Sequence, residues 1–145
     1  MVKYSLVTAF LMHIAFYVSA QQVKDFNLRF SERGTDSWSA MPLGNGEISA
    51  QVWTDKEGKI QMYFGTTDSR DGMDNVIKVG KLTIQFEPNI INSNSDYSET
   101  LLLEEGILRI KNKLADIHFR VDANQPEIII SGSAKVPVKI KITNN

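Results

Sequence analysis

Two carboxylates in a turn-rich segment, Asp68 and Asp71, have types and a spacing that suit a binding site. Three positions apart in an irregular loop, they could converge on one sugar hydroxyl or on a calcium ion. Aspartates in such loops also act as turn residues, because their side chains accept hydrogen bonds from nearby backbone amides. Both interpretations remain open here, and we predict neither a bound metal nor another cofactor.

The other titratable residues offer little to an enzyme. His118 is the only histidine outside residues 1–20, and its alternation with charged neighbours is typical of a solvent-facing strand residue. Glu104 and Glu105 are adjacent, and adjacent strand residues point to opposite faces, so we interpret them as hairpin-loop residues and not as an acid/base pair. We therefore predict no catalytic residue and expect the chain alone to be inactive as an enzyme.

A glycine-rich loop and the two tryptophans form a second candidate group. Gly44-Asn45-Gly46 tolerates left-handed backbone conformations, but no predicted helix follows it, so a phosphate-binding loop is not expected. Trp38 and Trp53 could stack on sugar rings, with Tyr63 as a neighbour of Trp53 across the strands. Packing against another layer of the protein is the competing interpretation of both tryptophans.

A predicted hairpin at the centre of the chain positions these candidates. Residues 47–54 and 59–65 alternate apolar with polar side chains, and Gly58 stands where a four-residue turn needs a positive φ. Because a hairpin returns the chain to where it began, the flanking loops 38–46 and 66–73 are expected at the same end of the sheet. We therefore place the candidate site at that end.

Strand signals continue to the end of the sequence, without an amphipathic helix. The further predicted strands are residues 23–30, 81–87, 97–103, 107–111, 115–122, 127–133 and 136–143. We expect the last two of these to pair with each other. About eight short strands with turns every eight to twelve residues or so predict an all-β fold, an antiparallel β-sandwich.

Residues 1–20 have the features of a secretory signal peptide, so we expect cleavage before Gln21. A lysine precedes an apolar stretch over residues 6–17, and Val18-Ser19-Ala20 suits a signal peptidase. A membrane anchor is the competing interpretation, but the apolar stretch is shorter than the roughly 20 residues that a span needs. We predict a secreted or periplasmic protein, with one β-sandwich domain over residues 21–145 and no membrane contact after cleavage.

Composition narrows the possible partners. The chain has no cysteine, which excludes a disulfide framework and a thiolate metal site. Removal of Lys3 with the signal peptide takes one of 16 basic side chains, against 17 acidic ones, and leaves a net charge near −2. Because no basic stripe interleaved with aromatic residues is present, we expect no nucleic-acid partner.

A stretch at the centre of the chain contains Ser39-Ala40-Met41-Pro42-Leu43-Gly44-Asn45-Gly46-Glu47, Val52-Trp53, Gly58 and Thr67-Asp68. With these residues it resembles the amino-terminal β-sandwich of bacterial glycoside hydrolases related to the α-L-fucosidases, and the similarity is close from Trp38 to about Leu82. The resemblance implies that the sandwich packs on an (α/α)-barrel that holds the catalytic carboxylates. That barrel would lie beyond residue 145, so no catalytic acid or base carries over. The resemblance also implies that residues 21–145 are the front part of a larger sandwich.

The resemblance also implies a carbohydrate site beside Asn45, Glu47, Asp68 and Asp71. In the fucosidase branch an Asn-Glu pair and a tryptophan follow the second strand, whereas this chain has Thr66-Thr67-Asp68-Ser69-Arg70-Asp71, so the substrate does not carry over. We predict an exported module of a glycoside hydrolase that helps to shape a glycan site with Trp38, Asn45, Glu47, Asp68 and Asp71. The alternatives are a free-standing carbohydrate-binding module, with Trp38, Trp53 and Tyr63 as its platform, and a purely structural sandwich.

The last predicted strand carries an expectation about association. Val138, Ile140 and Ile142 share one face of it, and Lys139 and Lys141 line the other. A strand edge without a partner invites pairing with another chain. We therefore expect part of the inner apolar face to lie open and the isolated chain to self-associate.

Overall fold

The computed structural model of the protein describes residues 22–75, 77–91 and 96–144. The signal peptide predicted over residues 1–20 and the cleavage before Gln21 lie outside these ranges and stay predictions. Within the same ranges, no helix is long and apolar enough to cross a membrane.

The described residues form ten strands and two short 3₁₀ helices, Val23–Phe26 and Ser37–Ser39. The strands are β1 (Leu28–Phe30), β2 (Met41–Gly44), β3 (Ile48–Thr54), β4 (Ile60–Thr66), β5 (Gly80–Glu87), β6 (Ser98–Leu102), β7 (Ile107–Lys111), β8 (Ala115–Val121), β9 (Ile128–Ala134) and β10 (Lys139–Asn144). Sheet A has the order β1-β6-β7-β8-β9, and sheet B has the order β10-β5-β4-β3-β2. All neighbouring strands are antiparallel, which confirms the predicted β-sandwich.

The core lies between the inner faces of the two sheets. Alternate strand positions supply its side chains, as a period of two requires. Val52 and Met62 of sheet B and Leu108 and Phe119 of sheet A are almost completely buried. Burial of side chains of this size contributes about 1.5–3 kcal/mol each, so these alternating positions stabilise the sandwich.

The two predicted hairpins are confirmed. In the β3–β4 hairpin, Val52 pairs with Met62 and Gly58 has a φ of +76°. Asp55 Oδ1 accepts hydrogen bonds from the backbone amides of Glu57 and Lys59, at 3.0 and 2.9 Å, and so fixes the turn. The β6–β7 hairpin turns at Gly106, whose φ is +63°.

The expectation that residues 38–46 form one loop at one end of the sheet is wrong. Within this segment, β2 pairs with β3. Met41 and Leu43 are buried and the residues after them are exposed, which is the alternation of a strand. Pro42 is compatible with this position because β2 is an edge strand, where a missing backbone donor costs little. Trp38 therefore precedes one end of β2, whereas Gly46 follows the other end.

The predicted pairing of the last two strands is also wrong. β9 pairs with β8 in sheet A, and β10 pairs with β5 in sheet B. The Lys135 amide donates to the Leu114 carbonyl at 2.9 Å, which holds the chain on sheet A before it crosses to sheet B. Ile140 and Ile142 lie opposite Phe86 and Ile84, two core residues, and this apolar match favours the pairing with sheet B.

Candidate functional site

The segment between β1 and β2 crosses from sheet A to sheet B and shapes a cleft at one end of the sandwich, which we call the Trp38 end. The cleft has a volume of about 350 Å³ and continues into a second one of about 370 Å³. Charged and hydroxyl side chains dominate the lining, which includes Arg29, Ser31, Glu32, Arg33, Ser39, Lys56, Tyr97 and Glu99. Such walls offer both donors and acceptors of hydrogen bonds.

Local hydrogen bonds hold Trp38 in an outward position beside this cleft. Asp36 Oδ1 accepts from the Trp38 amide at 3.0 Å, and the Ser39 hydroxyl donates to the Asp36 carbonyl at 2.7 Å. Gly34 is required for the compact turn, because a Cβ there would collide with the Ser39 hydroxyl. The result is an indole side chain that is 95% exposed on an ordered backbone.

A buried carboxyl group lies beneath the cleft. Glu99 is only 2% exposed, and its Oε2 accepts a hydrogen bond from the Tyr97 hydroxyl at 2.7 Å. Its Oε1 is buried without a hydrogen-bond partner among the described residues. Burial raises the pKa of Glu99 to about 7, against the opposing effect of the Tyr97 hydrogen bond. Burial and the neighbouring Glu99 charge likewise raise the pKa of Tyr97.

Asn45 stands at the other end of the sandwich, which we call the Asn45 end, and its side chain joins two turns. Its Oδ1 accepts from the backbone amides of Glu47 and Ile48, both at 2.9 Å. Its Nδ2 donates to the carbonyls of Asp122 and Gln125, at 2.8 and 3.1 Å. The amide group therefore ties the β2–β3 turn of sheet B to the β8–β9 turn of sheet A.

The remaining predicted site residues also lie at the Asn45 end. The Thr67 amide donates to the Glu47 carbonyl at 2.9 Å, which brings the two loops together as the hairpin predicted. The side chains of Glu47 and Asp68 are exposed there. The structure thus groups Asn45, Glu47 and Asp68 and separates them from Trp38.

Asp71 is engaged within its own loop. Its Oδ1 accepts from the amides of Met73 and Asn75, at 2.8 and 3.0 Å, and its Oδ2 accepts from the Asn75 side chain at 3.0 Å. These hydrogen bonds lower the pKa of Asp71, and the largest contribution comes from the Asn75 side chain. This geometry matches the turn-residue interpretation of Asp71.

Two other residues weighed as candidates have structural roles. Trp53 is buried, with its ring centroid 5.2 Å from that of Tyr63, so it packs within the fold as the competing interpretation predicted. His118 is half-buried on the outer face of sheet A, and its Nε2 lies 3.0 Å from Asp116 Oδ1. Arg109 binds the same carboxylate through Nε and Nη2, and it lowers the pKa of Asp116 to about 2.

Sequence reasoning missed the cleft residues of the Trp38 end. A signal for one of them was present, because Glu99 occupies an apolar position between Tyr97 and Leu101 on the buried face of β6. A carboxylate at such a position is costly to bury and marks a site of special chemistry. Elsewhere in the described ranges, no group of three or more histidine, aspartate or glutamate side chains is arranged to hold a metal ion.

Comparison with known proteins gives one match. Residues 29–145, most of the chain, match the family model DUF5703_N, described as a domain of unknown function (DUF5703). No curated protein and no solved structure matches the chain. The description names no activity, so the resemblance to glycoside hydrolases stays a prediction.

Proposed function

The chain belongs to the DUF5703 family of domains of unknown function, and we propose that its β-sandwich is a glycan-binding module of an exported, carbohydrate-active protein. The observation that carries this proposal is the 95% exposed Trp38 beside a polar cleft. Residues 39–47 add the resemblance to glycoside hydrolase sandwiches given above. The ligand is proposed to lie across the indole ring and to extend into the cleft.

Exposure of Trp38 favours a stacking role. Tryptophan has a large apolar ring, and its full exposure forgoes the free energy that burial would contribute. The Asp36 and Ser39 hydrogen bonds fix the backbone on both sides of the ring, so little backbone entropy is lost when a ligand binds. A sugar ring presents an apolar face of C–H groups that such an indole can cover.

The lining of the cleft suits the polar edges of the same ligand. Arg29 and Glu32 supply charged donors and acceptors, and Ser31 supplies a hydroxyl group. Fixed polar groups next to an apolar platform are the usual composition of small-molecule sites, where they set orientation and specificity. Sugar hydroxyls can both donate to the carboxylate and accept from the guanidinium.

Binding, and not hydrolysis, is the proposed activity of this chain. Glycoside hydrolysis ordinarily uses two carboxyl groups that flank the scissile bond. Glu99 lines the cleft and has a raised pKa, but its side chain is only 2% exposed and its Oε1 is buried, so we do not assign it the role of a catalytic acid. We assign Glu99 to the support of the cleft floor.

A second candidate uses the Asn45 end. The loops that carry Glu47 and Asp68 are joined by the Thr67–Glu47 hydrogen bond. This proximity favours the alternative that the Asn45 end helps to shape a glycan site completed by a catalytic barrel outside this chain. The two candidates predict binding residues at opposite ends of the molecule.

Titration with soluble xyloglucan, xylan and mannan, followed by tryptophan fluorescence and calorimetry, tests the proposal. We expect Trp38→Ala to weaken binding at least about tenfold, as loss of an aromatic anchor does. Met73→Ala removes another highly exposed apolar side chain, 82% exposed, and should have no effect.

Two outcomes would contradict the proposal. Absence of binding to all three glycans would remove the support for a glycan-binding module. Loss of binding in a Glu47→Ala, Asp68→Ala double variant but not in Trp38→Ala would transfer the site to the Asn45 end.

A further inference from the structure

The side of the sandwich between β9 and β10 is open. β9 is an edge strand of sheet A and β10 is an edge strand of sheet B, so among the described residues each has a neighbouring strand on one side only. All residues of β10 are exposed, although Ile140 and Ile142 lie opposite the core residues Phe86 and Ile84. Cross-strand partners share a face, so both isoleucines point inward and still remain 58% and 60% exposed.

Between these edges runs an apolar groove of about 280 Å³. The residues that line it include Phe86, Ile117, Ile130, Ile140 and Ile142. On the β9 side the inward position opposite Ile117 is Gly132, where a Cβ would come within 2.5 Å of the Asp116 carbonyl oxygen. The glycine therefore lets the backbone of β9 lie close to β8 beside the groove. An exposed apolar strip of this kind marks an interaction site.

The β9–β10 segment carries positive charge only. Residues 128–144 contain Lys135, Lys139 and Lys141 and no acidic residue. Among the described residues, none of these lysines forms an ion pair. Lys139 has Glu87 opposite it in β5, whereas Lys141 has the neutral Gln85. The outer face of β10 therefore complements a negatively charged neighbour.

We infer that this side of the sandwich binds an extended segment of a partner protein that alternates apolar with acidic residues and pairs with the free edge of β10. The unpaired backbone groups of an edge strand supply the hydrogen bonds of such strand addition, and alternate side chains supply the specificity. The apolar residues of the partner enter the groove beside Ile140 and Ile142. Its carboxylates lie beside Lys139 and Lys141.

The self-association expected from the sequence is disfavoured for β10 against the β10 of a second copy. In the described part of the chain, the edge strands β1, β2, β9 and β10 carry no acidic residue. Pairing of β10 with its own copy would set lysines against lysines, and like charges on adjacent strands are destabilising. This docking surface is independent of the glycan proposal, because it involves neither the cleft nor Trp38.

Fluorescence anisotropy with a labelled synthetic peptide tests the inference. The probe alternates valine with glutamate over about eight residues, enough to span β10, and the control peptide has lysine in place of glutamate. We expect the glutamate peptide to bind and the lysine peptide not to bind. Lys141→Glu and Ile142→Ser should each weaken binding about tenfold, a change of about 1.4 kcal/mol, and Met73→Ser should not.

Other results would overturn the inference. If neither peptide binds, the groove does not accept an added strand. If both bind equally, acidic residues are not what the surface recognises. If sedimentation reveals a dimer that Ile142→Ser dissociates, the occupant is a second copy and not an acidic partner. Both variants change exposed side chains, so a melting temperature close to that of the unmodified protein will show that each is folded.

Discussion

At the Asn45 end of the sandwich the Asn45 side chain makes all its hydrogen bonds to the backbone of the protein. At the Trp38 end an aromatic ring and several charged groups face the solvent. Asn45 joins turns from the two sheets through both its amide nitrogen and its oxygen. Trp38 makes its backbone contacts through a 3₁₀ turn, and its ring is left 95% exposed. The Asn45 side chain is thus held within the fold, whereas the Trp38 ring is exposed to solvent.

Under the proposed function, this difference separates residues that stabilise the fold from residues that bind a ligand. A polar side chain whose hydrogen bonds are all made inside the protein has no free donor or acceptor for a ligand. Its substitution, however, leaves backbone donors without partners. Exposed groups on an ordered backbone contribute little to folding and keep their full capacity for binding. Substitution of Asn45 should therefore lower the free energy of unfolding, whereas substitution of Trp38 should weaken glycan binding and leave the free energy of unfolding almost unchanged.

The largest expected effect belongs to Asn45→Ala. Loss of the link between the β2–β3 and β8–β9 turns removes several hydrogen bonds and should lower the free energy of unfolding by about 3 kcal/mol. Urea denaturation measures this loss. Asn124→Ala is the matched control, because the Asn124 side chain lies in the same turn and makes no hydrogen bond with the described residues. Equal stability of the two variants would mean that the Asn45 end is not closed by Asn45.

The next effect is the pH dependence that Glu99 gives to the Trp38 end. Its pKa is raised from about 4.5 unfolded to about 7 folded, so the folded state binds more protons between these values. Stability from this group is complete below pH 4.5 and is lost as pH rises through 7. We expect about 2 kcal/mol less stability at pH 7 than at pH 5 from this group.

Glu99→Gln tests this expectation, because its side chain has nearly the same shape and does not titrate. Urea denaturation at several pH values should give a flatter pH dependence for the variant than for the unmodified protein. An unchanged slope would show that the carboxyl group at the Trp38 end is hydrated in the folded protein.

Asp71→Ala should have a smaller and local effect. Its carboxylate caps the amides of Met73 and Asn75, and both should exchange with solvent faster in the variant. Since its folded pKa is lowered, the same amides should lose protection in the unmodified protein as pH falls through the acidic range. Hydrogen exchange followed by NMR measures both changes, and unaltered protection would argue that Asp71 is free to bind a ligand.

The smallest effect on stability is expected for Trp38→Ala. Because the Trp38 side chain is 95% exposed, its removal should change the free energy of unfolding by less than about 0.5 kcal/mol. Thermal unfolding checks this value on the same samples used for glycan titration. A loss above about 1 kcal/mol would show that the indole packs on the fold in solution, and the contrast between the two ends would disappear.

Local periodicity determined much of the architecture from sequence alone. The alternation in residues 47–54 and 59–65, together with Gly58, predicted β3, β4 and their turn, because strand period and turn conformation depend on neighbouring residues. The same reasoning predicted β5 to β8 and the sandwich class. It also predicted that the loops bearing Glu47 and Asp68 lie together.

Only the tertiary structure decided which strands pair at the sheet edges and which side chains meet at the two ends of the sandwich. Strand pairing joins backbone groups that every residue carries, so alternation does not reveal that β9 and β10 belong to different sheets. The partners of Asn45 lie 77 and 80 positions away, and no local pattern indicates that its amide is occupied. Glu99 acquires its raised pKa from burial beneath a cleft made by residues far from it in sequence. The placement of Trp38 away from Asn45 likewise follows from β2, a short edge strand whose existence depends on pairing with β3.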